Sequence, residues 1–73
     1  MTNMKKYEVK ENYNEFQKND VEFLNSAIDQ YNFYVGLLSD ENETSGERIA
    51  EFNRNLHIIQ KQIKTIKPSW LKR

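Results

Sequence analysis

The chain has 73 residues, with eleven basic and eleven acidic side chains, no cysteine, two glycines and one proline. That length holds at most one small domain, and the balanced charge provides no global field toward nucleic acid or membrane. The missing thiols exclude a disulfide framework and a thiolate metal site. Scarce Gly and Pro leave no material for a glycine-rich phosphate loop, and abundant Asn, Lys, Ile, Glu, Tyr and Phe suit the A/T-rich coding of many bacteria and phages.

Residues 1–12 form an N-terminal arm in which Met4, Tyr7 and Val9 stand among charged residues. Three readings stay open there: a short strand from Lys6 to Lys10, a fraying helix, or a flexible arm. The start leads into Tyr7-Glu8-Val9 rather than a signal-peptide core, and no apolar run approaches the roughly 20 residues of a membrane span. The expected location is cytoplasmic.

Residues 13–67 read as a helical hairpin. In helix one, about 13–39, the residues Phe16, Leu24, Ala27, Ile28, Tyr31, Tyr34, Val35 and Leu38 form a broad apolar stripe, widened by Phe23 and Leu37. Asn12 with Glu15, or Asn19 with Glu22, offers the N-cap. The turn, 40–45, is polar, and Thr44 with Glu47 forms a capping box for helix two. Asp40, Asn42, Thr44 and Glu51 resemble a calcium loop in spacing, but the glycine stands at Gly46 where Ser45 should be one, so the expectation is a solvated acidic turn and no metal. Asn42-Glu43-Thr44 spells a glycosylation acceptor, which has no use without secretion.

Helix two, about 46–67, carries the most regular pattern of the chain. Ile49, Phe52, Leu56, Ile59, Ile63, Ile66 and Trp70 follow at alternating steps of three and four, the seam of a helix packed lengthwise. Pro68 ends it, leaving a basic tail at 68–73 in which Trp70 and Leu71 could form an amphipathic anchor. The short connection makes the helices antiparallel, with Leu38 beside Ile49, Val35 beside Phe52, Tyr31 beside Leu56, Ile28 beside Ile59, Leu24 beside Ile63 and Phe16 near Trp70.

The expected fold is therefore all-α: an antiparallel hairpin of two long helices. Its stripe on helix one is wider than one neighbour covers, so a third element or a second copy should cover the rest, and a homodimer forming a four-helix bundle is expected. Leu24, Ile28, Tyr31, Val35, Phe52, Leu56, Ile59 and Ile63 are the expected self-association residues.

No convergent polar group carries chemistry. His57 has no acid beside it in sequence, and there is no nucleophile arrangement or His/carboxylate metal spacing, so neither catalysis nor a cofactor is expected. The expected function is that of a non-enzymatic adaptor or inhibitor binding a partner protein. Phe33 and Ile58 lie off the stripes and, with Arg54, His57, Lys61, Lys64 and Trp70, are the candidate contact residues. Two alternatives differ in class. One is a nucleotide-sequestering bundle that stacks a base on Tyr31, Phe33 and Tyr34. The other binds nucleic acid or an anionic membrane through the basic C-terminal face, but helix-dipole complementarity explains that charge as well.

Overall fold

The computed structural model describes residues 3–39 and 46–72. Two helices, α1 (Glu15–Leu38) and α2 (Gly46–Ile66), pack against each other, and no strand occurs among the described residues. The molecule measures 46 × 19 × 17 Å, a single layer of two helices. In a single layer each helix has one neighbour, so coverage of its flanks must come from elsewhere.

α1 starts at neither of the two expected caps. Asn14 is the N-cap: its side-chain oxygen accepts from the Gln17 N–H at 2.8 Å, and its own N–H donates to Gln17 Oε1 at 3.0 Å. An amide at the third helical position closes the box as a carboxylate would, which a search for glutamate passes over. Asn19 and Glu22 lie inside the helix instead. At the other end Ser39 remains in helical geometry, with its N–H bonded to Val35 and Gly36 carbonyls and its hydroxyl to Val35 O at 2.9 Å. α2 continues to a last bond from Lys67 N–H to Ile63 O at 3.0 Å, and Pro68 ends it. The expected capping box of Thr44, the calcium-like Asp40, Asn42 and Thr44, and the acceptor Asn42 lie outside the described residues.

The core consists of Val21, Leu24, Ile28, Tyr31 and Val35 from α1, Leu56, Ile59 and Ile63 from α2, and Leu71 from the tail. Leu71 is 2% exposed, so the tail supplies a core side chain and not a free anchor. A turn bond from Leu71 N–H to Pro68 O at 3.1 Å folds it back. Trp70 meets Tyr13 edge to face at 5.3 Å, while Phe16, its expected neighbour, is 82% exposed. Tail and helix entry thus close one end of the hairpin. The turn end lacks such a closure among the described residues: Ile49 is exposed and Phe52 half-buried although both keep the seam's spacing. There the rings of Tyr34 and Phe52 meet at 5.9 Å, within one residue of the expected register.

The arm resolves the three readings of residues 1–12. Its described part, from residue 3, is neither helix nor strand; it runs back along α1 and packs Met4 and Tyr7 against the core. A turn closed by Tyr13 N–H to Lys10 O at 3.2 Å reverses the chain into α1.

Candidate interaction surfaces

The arm is held by side chains that stand in for a neighbouring strand. Asn32 accepts the Met4 N–H at 2.8 Å and donates its amide to Met4 O at 2.9 Å; Asn25 does the same for Tyr7, at 2.8 and 2.9 Å. Each pair reproduces the two-way exchange of a hydrogen-bonded antiparallel position, with an asparagine amide replacing the partner backbone. The spacing explains why both can form. Three extended residues span about 10 Å and seven helical residues about 10.5 Å, so Met4 and Tyr7 match Asn32 and Asn25 in opposite chain directions. Between them Lys6 Nζ lies 2.8 Å from Asp29, with both side chains about half exposed. Asn25, Asp29 and Asn32 thus form a row on α1 that takes hold of an extended chain at backbone, charge and backbone again.

The opposite flank of α1 is largely uncovered among the described residues. Phe16 and Phe23, seven residues apart and therefore on one face, are 82% and 64% exposed. Phe23, Ser26, Ala27 and Gln30 line an open hollow with Gln62 and Ile66 of α2, about 350 Å³ in volume. Phe33 is as exposed as Phe23 and meets Tyr34 edge to face at 5.7 Å. Phe16 and Phe23 belong to the expected stripe by spacing, and the structure puts them outside it.

The eight residues expected to mediate self-association lie in or against the intrachain packing. Leu24, Ile28, Tyr31, Val35, Leu56, Ile59 and Ile63 are buried within the single chain and Phe52 is half-buried. The cover expected from a third element or a second copy comes in part from the arm and the tail. Among the expected partner residues, Ile58 is 48% exposed and lines a hollow with Arg54, His57 and Tyr31, whereas Phe33 lines a separate one with Asp29, Gln30 and Tyr34. The structure therefore does not join Phe33 and Ile58 in one site. Lys61 and Lys64 are exposed on α2, and Trp70, 39% exposed, is engaged with Tyr13. The aromatic platform of the nucleotide reading is divided, because Tyr31 is buried and Tyr34 packs on Phe52.

Sequence reasoning did not find a second basic site. Lys5, Lys6, Lys10 and Lys72, with Tyr7, Tyr13 and the carboxylate of Glu8, line a cavity of about 290 Å³ where arm and tail meet. Lys5, Lys6 and Lys10 lie close together in the arm but are interleaved with Tyr7, Glu8 and Val9, and Lys72 joins them only through the fold. Asn25 and Asn32 did leave a signal, since a seven-residue repeat of one amide at the edge of an apolar stripe is a row on the helix. Among the described residues no three His, Asp or Glu side chains converge as metal ligands do, and no helix is long and apolar enough to cross a membrane. No known protein family, curated protein or solved structure matches the chain.

Proposed function

We propose that the chain is a non-enzymatic interaction protein that self-associates, setting two hairpins side by side, and presents the Phe16–Phe23 face to a partner protein. The observation that carries the reading is the exposure of those two rings on one helix face, where Phe23 lines the open hollow shared with Ile66. A chain of this size gains much from each aromatic ring it buries, so rings left in water at helical register on one face mark a surface that packs against something else. Phe33, in its own hollow with Asp29, Gln30 and Tyr34, would be another contact. Ile58 with Arg54 and His57 would be a separate contact.

Two measurements test this reading. Light scattering over a roughly hundredfold concentration range should show a species heavier than the 8.8 kDa chain, and a monomer throughout would remove self-association. Affinity capture with the wild-type chain and a Phe16→Ser/Phe23→Ser variant should retain a protein with the first and lose it with the second at unchanged helicity. Equal capture by both would sink the phenylalanine face.

A second reading has its own observation, the cavity lined by four lysines and two tyrosines. That chemistry suits a phosphate ester, with a tyrosine ring beside the charges. Titration with AMP should shift the Tyr13 and Lys72 resonances together, and a flat titration would dismiss it. The basic face of Arg54, His57, Lys61 and Lys64 stays a weaker candidate for nucleic acid or an anionic membrane, because Arg54 and His57 line a hollow with Ile58 while Lys72 of the tail faces the arm lysines.

A further inference from the structure

The contacts that seat the arm depend on its sequence and extended shape, and none of them depends on the arm belonging to the same chain. Asn25 and Asn32 hold backbone groups of Tyr7 and Met4, Asp29 pairs with Lys6, and the Met4 and Tyr7 side chains pack on the core. A second copy carries the same groups at the same spacing. The free part of the connection to α1 is short: Glu11 and Asn12 are exposed and a turn bond, Tyr13 N–H to Lys10 O, closes the reversal, before Tyr13 anchors on Trp70 and the core and Asn14 caps α1.

We propose that two copies associate by reciprocal arm exchange, residues 3–10 of each lying along the Asn25–Asp29–Asn32 row of the other. The proposal rests on the self-association part of the reading above and names its route. In a symmetric exchange every arm contact made within one chain is made again between chains, so the balance depends on concentration and on the hinge at 10–12. The charge on the row is complementary to Lys6, which gives the exchanged arm its register. Exchange uses one flank of α1, and Phe16 and Phe23 on the other flank remain exposed for a different protein.

Shortening the hinge is the direct test. Deleting Glu11 and Asn12 leaves too little chain for the reversal, and the full chain with this deletion should be a dimer at concentrations where the wild type is mostly monomer. A second test keeps the hinge intact and uses charge. Lys6→Glu sets a carboxylate against Asp29, and Asp29→Lys sets two ammonium groups together, both within each chain and in either homodimer. Mixed, the two variants match at one row of an exchanged heterodimer, where Lys6 of one copy meets Asp29 of the other, and set Glu against Lys at the second row with the signs reversed. Native mass spectrometry with one variant isotopically labelled should then show heterodimer at about threefold the summed homodimers, where random pairing gives equal amounts. Random pairing in the mixture, or a deletion variant that folds as a monomer, overturns arm exchange while leaving another mode of self-association standing. Should the deletion variant not fold, the mixed variants decide between the same two outcomes. A wild type and a mixture that both stay monomeric overturn the self-association reading and the exchange together.

Discussion

Where α1 carries Asn25, Asp29 and Asn32 the arm lies against it, and where it carries Phe16 and Phe23 the rings stay 82% and 64% exposed. Asn25 follows Phe23 by two residues, about 200° of rotation, so these are opposite flanks of one helix. The polar flank is covered and the aromatic flank is largely uncovered among the described residues. Apolar area alone would have placed the arm over the phenylalanines. An extended chain, however, brings an N–H and a C=O with every residue, and burying them without partners costs more than the apolar contact returns. On the asparagine flank Asn25 and Asn32 supply those partners seven residues apart, the spacing that Met4 and Tyr7 require, and the phenylalanines stay exposed.

The comparison can be broken most easily through the core that both flanks border. Leu71→Ala should cost about 2–4 kcal/mol in urea unfolding although it lies near the chain end, because its side chain is 2% exposed. Phe16→Ala, at 82% exposure, should cost less than about 0.5 kcal/mol. If these two effects came out equal, the tail would not be part of the core.

On the covered flank, Asn25→Ala and Asn32→Ala should each lose about 1–2 kcal/mol by leaving a backbone donor and acceptor of the arm unpaired. Hydrogen exchange would locate the loss: the Met4 and Tyr7 amides should exchange at the rate of a free chain while those of Leu56 and Ile59 keep their protection. Unchanged arm amides would separate the arm's order from the asparagines.

The closed end allows a finer measurement. A double-mutant cycle of Tyr13→Ala and Trp70→Ala should give a coupling of about 0.5–1.5 kcal/mol for the edge-to-face pair, and an additive result would reduce Trp70 to a bystander. Smallest, and opposite in sign, is Gly36→Ala. A Cβ there meets nothing within 4 Å inside α1, so stability should rise by about 0.5–1 kcal/mol in thermal unfolding.

Much of this fold is legible in the residue order. The steps of three and four that run through Leu56, Ile59 and Ile63 place α2, and the stripe through Leu24, Ile28, Tyr31 and Val35 places α1, because a helix repeats its face every 3.6 residues regardless of what covers it. Pro68 ends α2 by steric rules that act on its neighbours. The cap of α1 is less legible. Several asparagines compete near the entry, and Asn14 prevails where the Lys10–Tyr13 turn and the Tyr13–Trp70 contact fix the direction of the chain.

The candidate surfaces are the least legible part. Phe23 and Leu24 are neighbours of equal promise in a periodic count, yet one is 64% exposed and the other 0%, since rotation of about 100° between them decides which faces α2. Helix, seam and stop were determined by the sequence itself, because each is a property of residues close along the chain. The path of the arm, the burial of Leu71 and the exposure of the phenylalanines were decided by the tertiary structure. Each depends on backbone groups finding partners, or apolar groups finding cover, across a distance that local periodicity does not encode.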